Sequence, residues 1–262
     1  MMNDTLNILS LFSGIGAFEK ALANLDIPYN LLAYCEIDKY ASKSYSIIHN
    51  EPEEKNLNDV TKVTAEDVKE RVDLITYGFP CQDISNAGKQ KGFTDENGER
   101  TRSGLFFEAL RIIEDYKPKF AIAENVKALT GKKFKEEFRI VLESLENAGY
   151  TNYWQVLNAK DYGIPQNRER VFIISIRKDI DKGFTFPNKL PLELRLKDML
   201  DDEVDEGFYL SKDRIANLIK HKQRNKENGN GFGARFVDGE DIASGLTTSP
   251  DKSSGQYVKV ER

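Results

Sequence analysis

Apolar strand-like runs that alternate with amphipathic helical patterns constrain the possible fold more than any other feature of this sequence. Six apolar runs are typical of buried strands, and helical spacing of apolar residues separates several of them. Strands joined through helices need crossover connections, so the alternation predicts an α/β fold with a doubly wound, mostly parallel sheet. The predicted strands lie at 6–12, 31–37, 72–77, 120–124, 153–159 and 170–176, and the helical patterns begin at Phe18, Phe106 and Phe138.

Composition limits the size and the setting of the protein. A chain of 262 residues with a formal charge of −5 can bury one α/β core and carry a small added unit. Mean hydropathy is −0.55, and no apolar run approaches the roughly 18 residues of a membrane span. The chain has no secretory pattern near its start, so we expect a soluble, cytoplasmic protein with no membrane partner. Its two cysteines and two histidines show no ligand spacing, which predicts no metal site.

The periodic pattern weakens after about Pro187. Charged, glycine-containing sequence follows, and we expect an irregular unit there. The predicted domains are therefore residues 1–190 and 191–262. Two groups of basic residues are either solvated surface or contacts to phosphate. The first flanks a glycine-containing segment and consists of Lys89, Lys91, Arg100 and Arg102, and the second consists of Lys220, Lys222, Arg224 and Lys226.

A glycine-containing loop follows the first predicted strand. The segment FSGIG at 12–16 leads into a helical pattern, an arrangement that lets backbone amides approach a ligand. Glu36 ends the second predicted strand about 20 residues later, where a carboxylate can accept hydrogen bonds from ribose hydroxyls. Together they indicate an adenosine-containing cofactor, although an ordinary tight turn and a surface glutamate explain these two features equally well.

The two cysteines lie in different settings. Cys81 belongs to GFPCQDIS at 78–85, after the third predicted strand, in a polar stretch where Pro80 stiffens the chain. Cys35 lies inside an apolar strand, which is typical of an inert core thiol. Cys81 is therefore the candidate reactive thiol, with an inert cysteine as the alternative.

Polar side chains also end or begin two further strands. AIAENV at 121–126 brings Glu124 and Asn125 to the edge where Cys81 is expected, and a carboxyl there can protonate or hydrogen-bond a heterocycle. QNRERVFII at 166–174 places Arg168 and Arg170 on alternate positions, so both are expected to point the same way. A capping asparagine, a solvated glutamate and ordinary edge arginines are the alternatives.

These motifs together resemble the bacterial DNA (cytosine-5)-methyltransferase family, in order, to about residue 175. FSGIG is similar to its first motif, Glu36 with Asp38 to its second, Asp59 with Val60 to its third and GFPCQDIS to its nucleophile motif. GLFFEALRII, ENV, FRIVLESLENAGY and QNRERVF resemble the motifs that follow. The resemblance implies a Rossmann-like methyltransferase fold that uses S-adenosyl-L-methionine, with residues 191–262 as a partial, irregular target-recognition region.

The resemblance also implies a role for each matching residue. Cys81 attacks C6 of a flipped cytosine in double-stranded DNA, Glu124 binds N3 and Arg170 holds the carbonyl. Pro80, Asn125 and Arg168 organise the pocket, and residues 86–103 form a lid. The DNA-binding residues implied are Gln82, Ser85, Lys89 and Arg102. The residues implied to bind the cofactor, which leaves as S-adenosyl-L-homocysteine, are Phe12, Gly14, Gly16, Glu36, Ile37, Asp59, Val60, Phe79 and Leu105.

The family's last two motifs have no match before Arg262. This predicts either a truncated chain or one subunit of a split enzyme whose second polypeptide supplies them. A binding-only protein and an RNA cytosine-5 methyltransferase are the remaining alternatives.

Overall fold

The apolar runs form a six-stranded sheet. The computed structural model describes residues 5–80, 102–229, 233–244 and 255–259. The strands in chain order are β1 (Leu6–Leu11), β2 (Tyr29–Cys35), β3 (Leu74–Tyr77), β4 (Phe120–Val126), β5 (Tyr150–Asn158) and β6 (Glu169–Arg177). Their order across the sheet is β2-β1-β3-β4-β6-β5. The pairs among β2, β1, β3 and β4 are parallel, and β6 runs antiparallel to β4.

Helices connect the parallel strands, as the alternation predicted. They are α1 (Ala17–Asn24), α2 (Lys39–His49), α3 (Phe106–Tyr116) and α4 (Lys135–Asn147). The predicted mostly parallel α/β fold is confirmed. Because β1, β3 and β4 are parallel neighbours, their carboxyl ends meet at one edge of the sheet, where doubly wound folds bind their ligands.

The core lies on both faces of the central strands. Leu9 and Ile75 are fully buried in β1 and β3, and α3 contributes Phe106 and Ile113 from one face. Burial of each such side chain contributes about 1.5–3 kcal/mol. This packing holds the strand ends in place and leaves the loops beyond them to carry function.

Two units make up the chain. The first comprises 1–156 and 170–186, and the second comprises 157–169 and 187–262. The second unit contains α5 (Lys212–Glu227) and two short parallel strands, β7 (Arg235–Val237) and β8 (Gln256–Val258). Its small core includes Leu196 and Val237. The domain boundary at residue 190 stays a prediction.

Two helices were not anticipated from the sequence. The buried face of α2 consists of Ser42 and Tyr45, which are not markers of hydrophobic periodicity. In α5, which lies in sequence expected to be irregular, Leu218 is the buried residue. The capping residues Asp38 and Ser211 were the available signals for these helices.

Two absences concern the described residues alone. Within those four ranges, no helix is long and apolar enough to cross a membrane. In the same part of the chain, no group of three or more His, Cys, Asp or Glu side chains is arranged to hold a metal ion.

Candidate cofactor and catalytic site

The loop between β1 and α1 is built from left-handed backbone conformations. Phe12, Gly14 and Gly16 have φ angles of 51°, 56° and 82°. The Ser13 amide donates to the carbonyl of Cys35 at 3.1 Å, and the Gly16 amide donates to Ser13 at 2.9 Å. The loop therefore folds back over the end of β2. Glycine meets this requirement at two of the three positions without steric cost.

The last turn of α2 packs directly beneath this loop. A Cβ atom added at Gly16 would lie 2.1 Å from Nε2 of His49 and 2.8 Å from Cε2 of Tyr45. Nε2 of His49 lies 3.0 Å from the carbonyl oxygen of Ile15 and donates to it in the tautomer with the proton on Nε2. Sequence reasoning did not identify His49 as part of the site, because it lies over 30 residues from the loop. Gly16 is therefore required for close packing as well as for its φ angle.

Glu36 closes the loop from the end of β2. Its carboxylate accepts from the Gly14 amide at 2.9 Å and from the Asp38 amide at 2.8 Å. Ile37 is 76% exposed, so an apolar side chain stands in solvent beside that carboxylate. The Asp38 carboxylate instead caps α2 by accepting from the amides of Tyr40 and Ala41 at 2.8 and 2.9 Å. The site thus joins a carboxylate acceptor and an exposed apolar side chain beside the loop.

Asn56 holds Glu36 through the main chain. Its Oδ1 accepts from the Glu36 amide at 3.0 Å, and its Nδ2 donates to the Glu36 carbonyl at 2.9 Å. Sequence reasoning also missed Asn56, since a single asparagine in a connecting segment is usually a turn residue.

Asp59 and Val60 follow on the same segment. Asp59 accepts from the hydroxyl of Thr61 at 2.8 Å and from its amide at 3.0 Å. The hydroxyl and amide of Thr61 hold the pKa of the Asp59 carboxyl below its ordinary value. Asp59 is therefore a carboxylate acceptor at neutral pH, whereas Val60 is buried.

Cys35 has the properties of an inert thiol. It is buried, and its Sγ donates to the Asn58 carbonyl at 2.9 Å. Burial, with contributions from the Asp59 and Glu36 carboxylates, raises the pKa of Cys35 to about 12. The thiol stays protonated near neutral pH, in keeping with the sequence interpretation.

An ion pair joins β4 to β6. Nε of Arg170 lies 2.9 Å from Oε1 of Glu124, and the side chains are 23% and 26% exposed. In the antiparallel register, Glu124 pairs with Phe172 and Arg170 pairs with Val126. Arg170 is two residues from Phe172, so the charged side chains lie diagonally on one face of the sheet. The pair is accessible, yet partly screened from water.

The chain that leads to Cys81 lies against β4. Asn125 is buried, and its Nδ2 donates to the carbonyl of Phe79 at 3.2 Å. A Cβ added at Gly78 would lie 3.9 Å from Oε2 of Glu124. The segment that ends in half-buried Pro80 is thus fixed beside both polar residues of β4.

The other predicted residues are placed as follows. Phe79 is buried, with its ring centroid 5.5 Å from that of Phe106, and Leu105 precedes α3. Arg168 lies in the second unit, where its amide donates to Oδ1 of Asn158 at 3.0 Å. Its catalytic role stays a prediction.

Arg102 begins a short 3-10 turn. Cys81, Gln82, Ser85, Lys89 and most of the predicted lid lie outside the described residues.

Comparison with known proteins shows the family of the chain. The family model described as C-5 cytosine-specific DNA methylase matches residues 6–260. The chain belongs to this family. It is 34% identical to orphan methyltransferase M.SPRI of Bacillus phage SPR, over 98% of this chain and 66% of that protein. It is 37% identical to orphan methyltransferase M.Rho11sI of Bacillus phage rho11s, over 85% of this chain and 49% of that protein.

A solved structure supports the fold of this DNA methylase family member. The Schizosaccharomyces pombe Dnmt2 methyltransferase superposes with a TM-score of 0.70, covering 98% of this chain and 77% of that one. At 21% identity the likeness concerns the fold alone. The chain spans between about half and two thirds of the length of the two phage relatives. These comparisons give no support for a second polypeptide.

Proposed function

We propose that this chain is an S-adenosylmethionine-dependent DNA (cytosine-5)-methyltransferase that acts through a covalent bond between Cys81 and C6 of a flipped cytosine. The proposal rests on the ion pair between Glu124 and Arg170, in which Nε of the arginine lies 2.9 Å from Oε1 of the glutamate. The pair lies beside the segment that leads to Pro80 and Cys81. A carboxyl and a guanidinium side by side suit the N3 and the carbonyl of one pyrimidine. Membership of the DNA methylase family supports the substrate class.

The loop and strand ends around Glu36 fit the cofactor. Gly14 leaves open space beside its backbone for a ligand, while Gly16 lets the same loop pack against His49. The Glu36 carboxylate provides acceptors for ribose hydroxyls. Exposed Ile37 offers an apolar surface to the adenine ring, and the Asp59 carboxylate offers an acceptor to its amino group. When bound, S-adenosylmethionine supplies an electrophilic methyl group on its sulfonium.

Each protein group in the proposed site has a distinct task. Attack of the Cys81 thiolate on C6 needs a base that has left the stack, because C6 cannot be reached within a duplex. A hydrogen bond or proton from Glu124 to N3 limits the negative charge that builds up on the ring. Arg170 orients the Glu124 carboxyl and holds the cytosine carbonyl. Asn125 fixes the Phe79 carbonyl, and so the backbone two residues before the nucleophile.

After methylation, the C5 proton passes to solvent, the electrons of the C5–H bond form the C5–C6 double bond, and the Cys81 thiolate departs. A proton given to N3 returns to Glu124, and the aromatic ring is restored. The proposed contacts to double-stranded DNA come from Gln82, Ser85, Lys89 and Arg102.

A methyl-transfer assay tests the proposed function as a whole. Labelled S-adenosylmethionine and mixed-sequence duplex DNA are incubated with the 262-residue chain, and the nucleosides of the product are analysed. We expect 5-methylcytosine from wild type and from Cys35→Ser, and none from Cys81→Ser. Glu124→Gln is expected to lower turnover about 100-fold, within the usual range for a general acid, whereas exposed Glu70→Gln leaves it unchanged. In parallel incubations with DNA and with RNA, labelling of the RNA alone would refute the DNA assignment.

The covalent step has a separate test. DNA that carries 5-fluorocytosine cannot lose the C5 substituent as a proton, so an adduct formed through C6 persists after methyl transfer. We expect a complex that survives denaturing electrophoresis, with the modified peptide containing Cys81. An adduct that persists in Cys81→Ser, or one that maps to Cys35, would contradict the proposed nucleophile.

A further inference from the structure

One side chain holds both main-chain polar groups of the residue proposed to bind the ribose. Oδ1 of Asn56 accepts from the Glu36 amide at 3.0 Å, and Nδ2 donates to the Glu36 carbonyl at 2.9 Å. Glu36 is the first residue after β2, where the pairing of that strand ends. The side-chain amide of Asn56 thus makes the two hydrogen bonds with the main chain of Glu36 that a neighbouring strand would otherwise make.

Hydrogen bonds from its surroundings hold the Asn56 side chain in turn. Nδ2 also donates to Oγ of Ser42 at 2.9 Å, and this hydroxyl lies 3.2 Å from the buried hydroxyl of Tyr34. Oδ1 accepts a second bond from the Asn58 amide at 2.9 Å. A side chain whose acceptor and donor atoms are all engaged has little rotational freedom. Its position is therefore set by β2, by α2 and by its own segment.

The same segment leads directly to Asp59, the residue proposed to bind the adenine amino group. The Leu57 amide donates to the carbonyl of Tyr34 at 2.8 Å, which lays the segment along the end of β2. Asn58 then turns the chain with a φ of 60°. The residues proposed to bind ribose and adenine are therefore connected through Asn56.

We infer that Asn56 is a positioning residue for cofactor binding, acting through the backbone of Glu36 and without touching the cofactor itself. The inference rests on the proposed function, since it assumes that Glu36 binds the ribose. With the Glu36 backbone fixed, its carboxylate keeps the orientation that also receives the Gly14 amide at 2.9 Å. Loss of the Asn56 amide leaves Glu36 to be ordered when the ligand binds, which weakens binding.

Titration of S-adenosylhomocysteine by calorimetry tests this role. We expect Asn56→Ala to raise Kd about tenfold, the loss expected when one or two hydrogen bonds no longer preorganise a site. Asn56→Asp keeps the acceptor but loses the donor and adds charge near Glu36, so its Kd is expected to rise at least as much. Asn30→Ala is the matched control, because Asn30 is an exposed asparagine on the same β2 that bonds Asn7. Its Kd should equal that of wild type.

Steady-state rates separate positioning from general destabilisation. For Asn56→Ala we expect KM for S-adenosylmethionine to rise with Kd, while kcat at saturating cofactor stays within about twofold, as for loss of uniform binding. A lower melting temperature with unchanged Kd and KM would show a structural role alone and overturn the inference.

A double-mutant cycle tests whether Asn56 acts through Glu36. If it does, Asn56→Ala should weaken binding by less than about twofold once Glu36→Gln is present. Independent, additive losses would overturn the inference. Failure of the wild-type chain to bind would overturn the proposed cofactor together with the role of Asn56. Wild-type binding with an unchanged Kd in Asn56→Ala would overturn the role of Asn56 alone.

Discussion

Replacement of Gly16 by alanine is expected to destabilise the protein far more than the same change at Gly14. Both glycines have positive φ angles, 82° and 56°, so each alanine meets a conformational cost of about 1–2 kcal/mol. At Gly14 an added Cβ has nothing within 4 Å, whereas at Gly16 it would lie 2.1 Å from Nε2 of His49. His49 must then move, which costs about 1–3 kcal/mol for overpacking and about 1 kcal/mol for its hydrogen bond to Ile15.

Thermal unfolding followed by circular dichroism measures the difference. The total for Gly16→Ala is about 4 kcal/mol, and each kcal/mol lowers Tm by about 2–4 °C in a domain of 150–250 residues. We therefore expect Gly16→Ala to lower Tm by roughly 8–16 °C, and Gly14→Ala by about 2–8 °C. The circular dichroism spectrum at low temperature should stay close to that of wild type.

The double variant Gly16→Ala with His49→Ala shows whether the clash is the cause. Removal of the imidazole relieves the shortest contact of the new Cβ and leaves the 2.8 Å approach to Cε2 of Tyr45. The loss of stability in the double variant should therefore be smaller than the sum of the two single losses by about 1–2 kcal/mol. Equal losses at Gly14 and Gly16, or additivity of the double variant, would refute the steric argument. The destabilisation of Gly16→Ala would then be assigned to φ alone.

Three further predictions concern the proposed catalytic edge of the sheet and Cys35. Asn125→Ala removes the bond to the Phe79 carbonyl, so initial methylation rates should fall about tenfold or more, with Kd for S-adenosylhomocysteine unchanged in calorimetry. Arg170→Lys retains the charge but loses the planar guanidinium, and its turnover at saturating substrate should fall at least tenfold. Burial raises the pKa of Cys35 to about 12. At pH 8 the thiolate is therefore present in only about 10⁻⁴ of the molecules. Iodoacetamide at pH 8 should therefore leave the Cys35 peptide unmodified in mass spectrometry of the folded protein, and labelling should appear only as the pH approaches 12 or the protein unfolds.

Strong local patterns made much of the fold predictable. Continuous apolar runs such as that of β1 and regular spacing such as that of α3 appear where predicted, because burial of a whole face leaves a periodic sequence. The buried face of α2 includes Ser42 and Tyr45. Ser42 is hydrogen-bonded to Tyr34 and Tyr45 stacks on the ring of Tyr34, and hydrophobic periodicity does not reveal such contacts.

The candidate site was predictable wherever a motif carries the chemistry. Glu36 and Glu124 were identified from the sequence, and the structure adds the Gly14 amide and Arg170 as their partners. The sequence did not indicate Asn56 or His49 as part of the site. Their hydrogen bonds to Glu36 and Ile15 join residues that lie 20 and 34 positions apart in the chain. Such contacts are set by tertiary structure, which a single sequence does not display.

The second unit is discontinuous in the chain, and this affects how the protein can be divided or recombined. Residues 157–169 belong with 187–262, although 170–186 returns to the first unit in between. Within the second unit, the Ala243 amide donates to the Pro165 carbonyl and the Asn167 amide donates to the Ala243 carbonyl, both at 2.7 Å. A fragment that ends near residue 186 would keep residues 157–169 but lose these partners. Any chimera that exchanges this unit between relatives must therefore transplant two stretches of chain together.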